Sequence, residues 1–479
     1  MTEPTQDHAA EAVFAGGWRP NRASTNVRLL SHYVSPRAML VRGFEFVMLV
    51  AALLGAQSLR LEELKEFAWL HAIVYALACV GALQALELYS NRRTRFIDLS
   101  IRLLLAYGGA VVSLTLLYYV WPLLFNGRGV MGIAIGSSIL GSLVLRLGIY
   151  SIGPLAVAPN RVLVVGEGNL ANEVTRIARK DGEGLEYAGA YDPSVRTLAG
   201  ASDVSYANVS LRQAAERVGA SEIVVALRDE RGAGALMKEL LHCKVMGAAV
   251  LDAVSFIERE ERLLRIDVMR PSYLVFNDGF GHGHFEDFRK RLLDVMMASM
   301  MLVLTSPVFV LAAIAIVLES GGPLFYSQER VGLGGRIFRV WKFRSMRPDA
   351  ETAGKPQWAA KNDSRVTRVG RLIRMTRIDE LPQLFNVLRG EMSFVGPRPE
   401  RPFFVEQLRA QLPHYDLRHF AKPGLTGWSQ VKYPYGASIE DALAKLRYDL
   451  YYVKNRSMLL DIVVICATVH TILFAKGAR

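Results

Sequence analysis

RKRLLDVMMASMMLVLTSPVFVLAAIAIVLES, residues 289–320, is an apolar stretch long enough to cross a bilayer, and Ser306 and Pro307 interrupt it near its middle. Proline in a helix interior removes a backbone hydrogen bond and clashes with the preceding turn. The stretch therefore predicts a membrane helix with a kink or break at Pro307. Such a helix either crosses the membrane or enters it and turns back.

The basic residues on both sides of this stretch distinguish the two topologies. Arg289, Lys290 and Arg291 open it, and residues 330–377 are dense in lysine and arginine. Because basic flanks stay in the cytoplasm, a full crossing would place one of these two regions on the wrong side. We therefore predict a re-entrant helix over 285–320 with both flanks in the cytoplasm.

Four apolar stretches precede it, at 38–57, 67–89, 99–125 and 130–150, and each has roughly the 20 residues that a membrane-crossing helix needs. Arginines lie before the first, between the second and third, and after the fourth; they are Arg28, Arg37, Arg42, Arg92, Arg93, Arg95, Arg146 and Arg161. The positive-inside rule places these three points in the cytoplasm. We predict a cytoplasmic tail over 1–37 and a four-helix membrane region over 38–150. The alternative is a set of buried helices in a soluble core.

Residues 151–280 change to an α/β pattern, which begins with RVLVVGEGNLANEV at 161–174. An apolar strand leads into Gly166-x-Gly168-x-x-Ala171 and a helix, and GAYD places Asp192 where dinucleotide-binding domains carry a ribose-binding acid. Gly166 permits the tight turn, and Gly168 allows a phosphate to approach the backbone at the helix N-terminus. The pattern predicts a Rossmann-like domain, which either binds NAD(P) or another nucleotide or keeps its glycines for packing alone.

The composition argues against a single soluble domain and against a disulfide scaffold. The chain has 479 residues, 51% of them hydrophobic, which indicates several domains with part of the chain in membrane. Its cysteines, Cys79, Cys243 and Cys466, lie far apart and in no metal-ligand spacing. A formal charge of +12 suits anionic lipids, nucleotides and phosphates, although charge alone does not exclude nucleic acid.

A predicted hairpin and a basic surface follow the apolar stretch. GLGG at 332–335 separates the two strand-like segments, and alternation places Lys342 and Arg344 on one face. Two cations there either hold a diphosphate or form a solvated face. Arginines then recur at every third position, which distributes them around a helix as a broad basic surface. This surface either binds lipid head groups or lipid-linked phosphate, or only keeps the protein soluble. These arginines are Arg365, Arg368, Arg371, Arg374 and Arg377.

Two adjacent carboxylates, Asp379 and Glu380, stand at the start of a short amphipathic helix with apolar residues at 381, 384, 385 and 388. Acidic residues also stabilise a helix N-terminus, so each has a structural explanation by itself. Neighbours on a helix point about 100° apart, which favours divided labour: one carboxylate attacks a phosphate and the other holds Mg²⁺. Arg398 follows between two prolines, where a stiff loop can present its guanidinium to phosphate.

Four motifs occur in order in the C-terminal part: KFRSM at 342–346, IDELPQLFNVLRGEMSFVGPRP at 378–399, KPGLTGW at 422–428 and DLYYVKN at 449–455. Over about residues 285–479 they resemble the bacterial sugar transferases, which are polyprenyl-phosphate sugar phosphotransferases, also called monotopic phosphoglycosyltransferases. The whole chain resembles the large form of that family. It would combine a membrane α-helical N-terminal bundle, an α/β Rossmann-like middle domain, and an α+β catalytic domain over 321–479 with the re-entrant membrane helix.

The resemblance implies a two-step reaction that transfers a sugar 1-phosphate from a UDP-sugar to polyprenyl phosphate and releases UMP. It implies that Asp379 is the nucleophile, that Glu380 binds Mg²⁺, and that Lys342 and Arg398 contact phosphates. The hairpin and the basic surface supply two further phosphate-binding candidates, Arg344 and Arg377.

The same resemblance implies the setting of the reaction. Ser306 and Pro307 match the break in the family's re-entrant helix, and the products begin exopolysaccharide, capsule or O-antigen repeat units. The expected location is the bacterial inner membrane, with the catalytic domain on the cytoplasmic side. The expected partners are UDP-sugar, polyprenyl phosphate, membrane lipids and a second copy of the chain, and no nucleic acid.

Two other classes of function compete with this reading. A membrane-anchored, NAD-dependent nucleotide-sugar dehydratase or epimerase would also join membrane helices to a Rossmann domain, but such enzymes typically need Tyr-x-x-x-Lys. No tyrosine of this sequence has lysine four residues later. A non-catalytic scaffold for polysaccharide assembly would explain the helices and the basic surface but leaves the two carboxylates and Arg398 unexplained.

Overall fold

The computed structural model describes most of the chain in segments. These are residues 27–29, 32–34, 36–60, 67–85, 88–89, 96–151, 159–180, 185–201, 205–227, 234–269, 279–281, 283–347, 365–433 and 438–473. The predicted tail therefore falls largely outside the described residues, as do Arg92, Arg93 and Arg95. Two short antiparallel strands, β1 (Val27–Leu29) and β2 (His32–Val34), precede the first helix.

The N-terminal region is a bundle of four apolar helices, as predicted. They are α1 (Pro36–Arg60), α2 (Ala68–Ala85), α3 (Phe96–Val120) and α4 (Arg128–Ser151). Their buried side chains form one core, while many large apolar side chains face outward, an arrangement that is stable in lipid. By length and composition, α1, α3 and α4 can span a membrane, as can the helix at 284–320, whereas the apolar part of α2 is shorter.

The middle region contains a six-stranded mixed sheet in the order β6-β5-β4-β3-β7-β8. Its strands are β3 (Asn160–Val165), β4 (Leu185–Asp192), β5 (Thr197–Gly200), β6 (Ser205–Tyr206), β7 (Glu222–Val225) and β8 (Ala249–Asp252). Four neighbouring strands, β4, β3, β7 and β8, pair in parallel. At the other edge, β5 pairs antiparallel with β4 and β6 pairs antiparallel with β5.

Helices cover both faces of this sheet because its central strand, β3, is apolar on both. The helices are α5 (Asn169–Ala178), α6 (Leu211–Arg217), α7 (Gly234–Val245) and α8 (Ala253–Glu261). Val162 and Val164 of β3 pack against α5 and α8, and Leu163 and Val165 pack against α6 and α7. A continuous apolar strand is the expected signature of a sheet buried on both sides.

The C-terminal region combines a long helix with small β elements. Its elements are α9 (His284–Ser320), β9 (Phe325–Val331), β10 (Ile337–Phe343), α10 (Arg368–Met375), α11 (Gln383–Arg389), β11 (Ser393–Val395), α12 (Pro402–Gln411), β12 (Gly424–Thr426), α13 (Trp428–Lys432), α14 (Ile439–Lys454) and α15 (Met458–Leu473). Strands β9 and β10 form the predicted antiparallel hairpin, and β11 and β12 pair in parallel. Lys355 and Lys361 of the basic region lie outside the described residues.

Pro307 lies inside α9, which is helical from end to end, so the helix has no break there. A kink at Pro307 stays a prediction. Proline has no N–H for the carbonyl of Val303, four residues earlier. The hydroxyl of Ser306 donates to that carbonyl at 2.8 Å instead. The serine therefore replaces the hydrogen bond that the proline removes, which lets the helix continue through an apolar region.

Both ends of α9 are held by the C-terminal region. Near the start, the guanidinium of Arg291 donates to the carbonyls of Val387 and Leu388 at 2.5 and 2.6 Å. At the end, the guanidinium of Arg344 donates to the carbonyl and the hydroxyl of Ser320, each at 2.9 Å. A helix of 37 residues is about 55 Å long if straight, so contact with one region at both ends constrains its path.

The C-terminal helix α15 connects this region to the membrane bundle. On one side, the hydroxyls of Thr468 and Thr426 lie 2.6 Å apart, which ties α15 to β12. On the other side, α15 packs along α2, and the thiol of Cys466 approaches the carbonyl of Gly81 at 3.9 Å. The apolar helix α15 therefore lies against a membrane helix.

A buried ion pair joins the middle and C-terminal regions. Nζ of Lys454 lies 2.7 Å from Oε2 of Glu258, and the side-chain amide of Asn455 donates to Oε1 of the same carboxylate at 3.0 Å. The side chains of Glu258 and Lys454 are almost completely buried. Nearby, the indole of Trp428 donates to the carbonyl of Arg262 at 2.9 Å. The two regions therefore share a polar contact that excludes water.

We expect Glu258→Gln to destabilise the protein by about 3 kcal/mol, because it leaves the charge of Lys454 buried without its partner. The matched control is Glu261→Gln, which removes a carboxylate from the same helix end but only breaks the exposed pair with Arg176. That control should lose less than about 1 kcal/mol. The measurement is denaturant unfolding in detergent, followed by tryptophan fluorescence. Equal losses in the two variants would contradict a special role of the buried pair.

Candidate active site

The two adjacent carboxylates lie in a 3-10 turn, Ile378–Glu380, immediately before α11. Arg377 enters this turn with a left-handed backbone, φ 59°. Leu381 and Leu384, which follow, are buried in the core beneath the turn and anchor it. Asp379 and Glu380 therefore precede the amphipathic helix as predicted, in a turn of their own, and both are buried.

One carboxylate oxygen of Glu380 contacts three cations. Its Oε1 lies 2.9 Å from Nζ of Lys342, 3.2 Å from Arg398 and 3.8 Å from Arg377. These cations come from β10, from the loop after β11 and from the turn itself. Burial opposes ionisation of Glu380, but the three positive charges outweigh it and hold its pKa well below the usual range. Glu380 is therefore ionised at neutral pH.

Asp379 has a different environment. Among the residues that the structure describes, its carboxylate has no hydrogen bond and no ion pair. Burial and the neighbouring charge of Glu380 raise the pKa of Asp379, and Lys342, Arg374 and Arg377 oppose this rise. A buried carboxylate without partners keeps both oxygens free to react. Within the described residues the two side chains thus differ, because Glu380 contacts three cations and Asp379 is unengaged. Their assignments as metal ligand and nucleophile stay predictions.

The raised pKa of Asp379 predicts how activity depends on pH. Only the ionised carboxylate can attack phosphorus, so activity should be full above the pKa of Asp379 and fall as pH drops through it. We expect the acidic limb to lie above 3.8, the ordinary value for aspartate. Arg374→Gln removes a cation that lowers this pKa, so the limb should move to higher pH. The measurement is the initial rate against pH, and an unmoved limb would contradict the assignment.

Arg371→Gln is the matched control for that experiment. Arg371 lies one turn earlier on α10 and is exposed, and it is not among the charges that act on Asp379. In Arg371→Gln, the acidic limb of the plot of initial rate against pH should lie at the same pH as in the unmodified protein. An equal shift in both variants would indicate a general effect of surface charge.

Asn386 holds the cation-bearing strand against the helix that follows the carboxylates, and sequence reasoning missed it. Its side-chain oxygen accepts from the backbone N–H of Trp341 at 3.1 Å, and its amide donates to the carbonyl of Arg339 at 2.8 Å and to Glu391 at 2.7 Å. Asn386 is completely buried. A polar residue on the buried face of a short amphipathic helix was the signal that could have identified it.

A second buried network positions Arg398. The guanidinium of Arg418 donates to the carbonyl of Arg398 at 2.9 Å and to Asp449 at 2.8 Å, and the hydroxyl of Ser429 donates to the other oxygen of Asp449 at 2.6 Å. Arg418 and Asp449 are both buried. Asp449 is the first residue of the DLYYVKN motif, so this motif helps to fix the backbone of Arg398 through Arg418. Nothing in the sequence around Arg418 indicates this contact.

Arg344 does not join the cations around Glu380. It is buried, and its guanidinium donates to Ser320 and Gly321 at the end of α9. The hairpin strand β10 ends at Phe343, so the alternation that placed Arg344 beside Lys342 does not extend to it. Its contacts position the end of the membrane helix, and its assignment as a phosphate ligand stays a prediction without a contact to support it.

The glycine turn of the middle region forms as predicted. Gly166 has φ +120°, and a Cβ there would lie 2.7 Å from the carbonyl oxygen of Ala226. Gly168 has φ +90° with open space around it and precedes α5. Asp192 ends β4 and accepts hydrogen bonds from the backbone and the hydroxyl of Ser194, at 2.8 and 2.6 Å.

Negative charge lies beside this turn. A hydrogen bond with Asp192 raises the pKa of Glu167, which stands between the two glycines. The predicted ribose-binding acid is therefore partly engaged with Ser194 and Glu167, and two carboxylates share the position that a nucleotide would approach. Binding of NAD(P) or another nucleotide stays a prediction.

The residues present fit a magnesium ion that is shared with a substrate. Within the described segments no three histidine, cysteine, aspartate or glutamate side chains cluster as a metal site. Mg²⁺, however, is commonly held by one or two carboxylates together with substrate phosphates. The cations meet Oε1 of Glu380, and its other oxygen has no contact among the described residues. One carboxylate oxygen that is free within the described segments, beside three cations that a substrate phosphate could also contact, is a suitable donor set.

Comparison with known proteins gives consistent similarities. The family model of the bacterial sugar transferases matches residues 285–475. A UDP-N-acetylgalactosamine-undecaprenyl-phosphate N-acetylgalactosaminephosphotransferase of Aeromonas hydrophila is 41% identical over 257 residues, 54% of this chain and 60% of that protein. An undecaprenyl-phosphate glucose phosphotransferase of Komagataeibacter xylinus is 33% identical over 328 residues, 66% of this chain and 60% of that protein.

A shorter relative is covered more completely. A UDP-glucose:undecaprenyl-phosphate glucose-1-phosphate transferase of Caulobacter vibrioides is 42% identical over 196 residues, 40% of this chain and 72% of that protein. The chain spans less than two thirds of the length of the Aeromonas and Komagataeibacter proteins. The alternative of a nucleotide-sugar dehydratase or epimerase finds no support in these relatives.

Proposed function

Because the chain belongs to the bacterial sugar transferase family, we propose that it transfers a sugar 1-phosphate from a UDP-sugar to undecaprenyl phosphate and releases UMP. The observation that carries the proposal is the contrast between the two carboxylates. Asp379 is buried and has no partner among the described residues, while Glu380 beside it contacts Lys342, Arg398 and Arg377. A free nucleophile next to a phosphate-binding group is what this transfer needs.

In the first step, an oxygen of Asp379 attacks the β-phosphorus of the UDP-sugar. The bond from that phosphorus to the bridging oxygen breaks, UMP leaves with the electron pair, and the sugar phosphate remains on Asp379 as an acyl phosphate. In the second step, a phosphate oxygen of undecaprenyl phosphate attacks the same phosphorus. The acyl phosphate bond breaks, the carboxylate of Asp379 is restored, and undecaprenyl-diphosphate-sugar is released.

The cations act on the charge of the diphosphate. Three cations, Lys342, Arg377 and Arg398, outnumber the two carboxylates, so the site has a net positive charge that favours a bound diphosphate. Arg398 can pivot from Glu380 to phosphate while Arg418 and Asp449 hold its backbone. When Mg²⁺ is bound it supplies Lewis-acid neutralisation of phosphate oxygens, and Glu380 is the residue that would hold it.

The test of the proposed function is UMP release by the purified chain with undecaprenyl phosphate, Mg²⁺ and a panel of UDP-sugars. The panel includes glucose, galactose and their N-acetylated 2-amino forms, because the relatives differ in their sugar. We expect release with one or a few of them and loss of turnover after chelation with EDTA. No release with any UDP-sugar would contradict the function, and full activity in excess EDTA would contradict the metal.

We propose that α9 is re-entrant and that the catalytic region lies on the cytoplasmic side of the bacterial inner membrane. Contacts of the C-terminal region with Arg291 near one end of α9 and with Ser320 at the other support this path. The basic surface that includes Arg368 and Arg371 supports the cytoplasmic side. UDP-sugars are cytoplasmic, which is consistent with both. A homodimer stays a prediction.

Replacing both Ser306 and Pro307 with leucine should remove the predicted kink of α9 at Pro307, cause a full crossing in part of the molecules and reduce activity. The measurement is side-specific labelling of single cysteines at Glu286 and Gln328, in a background without the three native cysteines. In the unmodified helix both positions should react from the cytoplasmic side alone. Labelling of Gln328 from the opposite side would rule out the re-entrant path.

We also propose that the middle region is a Rossmann-like domain that extends from about 151 to 280. The parallel order β4-β3-β7-β8, with helices on both faces, supports this classification. The Gly166 turn at the end of β3 lies at the position where such domains bind phosphate. The buried pair between Glu258 and Lys454 supports a role in holding the catalytic region.

A further inference from the structure

Tyr89 lies between two arginines at one end of the membrane bundle. The guanidinium carbons of Arg42 and Arg146 are 5.1 and 5.7 Å from the centre of its ring. Tyr89 is 9% exposed and Arg146 is 5% exposed. This arrangement concentrates positive charge around one aromatic ring in a largely dry environment.

One of these arginines has its counter-charge and the other does not. Arg146 binds both oxygens of Glu45, at 2.6 and 3.2 Å, and Glu45 also accepts from the hydroxyl of Ser142 at 2.5 Å. Among the described residues, Arg42 has neither a hydrogen bond nor an ion pair. The carboxylate of Glu45 is therefore used by its neighbours, and the charge of Arg42 is uncompensated.

Three buried donor atoms in this cluster lack a hydrogen-bond partner within the described part of the chain: Nε of Arg42, Nε of Arg146 and the hydroxyl of Tyr89. Buried polar atoms almost always have a partner, because an unmet donor costs about 1–3 kcal/mol. Glu45 lies near the Tyr89 hydroxyl and acts on it, but the two groups do not meet the geometry of a hydrogen bond. Three unmet donors in one place indicate a missing acceptor.

The middle region adds a further positive charge. Arg262, at the end of α8, is near enough to Arg42 for the two charges to repel each other. Its position is fixed, because its carbonyl accepts from the indole of Trp428 at 2.9 Å. Among these described residues, three positive groups, Arg42, Arg146 and Arg262, thus lie near one carboxylate, that of Glu45. Arg262 therefore brings a like charge towards Arg42, which is unfavourable unless an anion lies between them.

We infer that Arg42, Tyr89 and Arg262 bind the phosphate group of a membrane lipid. A phosphate supplies several acceptor oxygens and the negative charge that the cluster lacks, and guanidinium groups match its geometry. Arg42 is the seventh residue of a membrane helix, at the depth where long basic side chains reach lipid head groups. The lipid phosphate neutralises the repulsion between Arg42 and Arg262 and so stabilises the docking of the middle region on the bundle.

The experiment uses the full chain in nanodiscs of phosphatidylcholine with and without phosphatidylglycerol, followed by native mass spectrometry of the lipids that it retains. We expect phosphatidylglycerol to be retained and to raise the unfolding temperature. Its apparent affinity should fall about tenfold in Arg42→Gln and less in Tyr89→Phe, which removes one donor and keeps the ring. If Arg42→Gln does not fold, the affinity of Tyr89→Phe for phosphatidylglycerol is the measurement that tests the site.

Arg102→Gln is the matched control. Arg102 is the seventh residue of α3, as Arg42 is of α1, and it carries the same charge outside the cluster. Its lipid retention should stay within about twofold of the unmodified chain. An equal loss in this control would show diffuse attraction to the membrane and overturn the site, as would unchanged retention in Tyr89→Phe and Arg42→Gln. Displacement of the lipid by inorganic phosphate would overturn the lipid as the source of the phosphate.

Discussion

Asp379→Asn should abolish transfer, with a fall of at least about 1,000-fold in the rate of UMP release. The substitution keeps the shape of the side chain but removes the carboxylate that attacks phosphorus. It should also abolish the covalent sugar-phosphate adduct. Intact-protein mass spectrometry after incubation with UDP-sugar alone, without undecaprenyl phosphate, measures the adduct directly.

Glu406→Gln is the control for this experiment, because Glu406 is exposed on α12 and away from the carboxylate pair. It should form the adduct at the normal rate. An adduct that persists in Asp379→Asn would remove Asp379 as the nucleophile. Loss of turnover with unchanged unfolding would show that the effect is chemical, because Asp379 has no partner among the described residues whose loss could destabilise the fold.

Glu380→Gln should lower turnover by about 100-fold or more, because the three cations around Oε1 lose the anion that positions them. The variant should still form some adduct, since Asp379 remains, but more slowly. It should also need a higher concentration of Mg²⁺ for half-maximal rate. Adduct formation and turnover against Mg²⁺ concentration are the measurements.

The dependence on Mg²⁺ separates two roles of Glu380. If turnover falls while the required Mg²⁺ concentration stays the same, Glu380 organises Lys342, Arg398 and Arg377 without holding the ion. If Glu380→Gln retains full activity, neither role is correct. Glu406→Gln again controls for the loss of one negative charge.

Local patterns were sufficient for several elements of this protein. The apolar lengths before residue 151 predicted four helices, and continuous apolar strands followed by glycine turns predicted the α/β region. The hairpin around 332–335 and the short helix after Glu380 also formed where alternation and helical spacing placed them. These features depend on backbone preferences and on the burial of neighbouring side chains, and both can be read from a window of a few residues.

The position of Arg344 shows where such windows fail. Alternation along β10 placed it beside Lys342, but the strand ends one residue earlier, and Arg344 turns to the last carbonyls of α9. Pro307 is a second case. Its effect on the backbone depended on whether another group could use the freed carbonyl of Val303, and the hydroxyl of Ser306 does so.

The sequence by itself identified the candidate residues for the proposed chemistry, because Asp379, Glu380, Lys342 and Arg398 lie in short motifs. Only the tertiary structure decided how they are used. It brings cations from three separate elements to one oxygen of Glu380, and within the described segments it leaves Asp379 without a partner. It also places Arg418 and Asn386 where they hold the backbone of Arg398 and of the strand that carries Lys342. The physical reason is that charge and desolvation act through space, so the state of a carboxylate depends on neighbours that are distant in the chain.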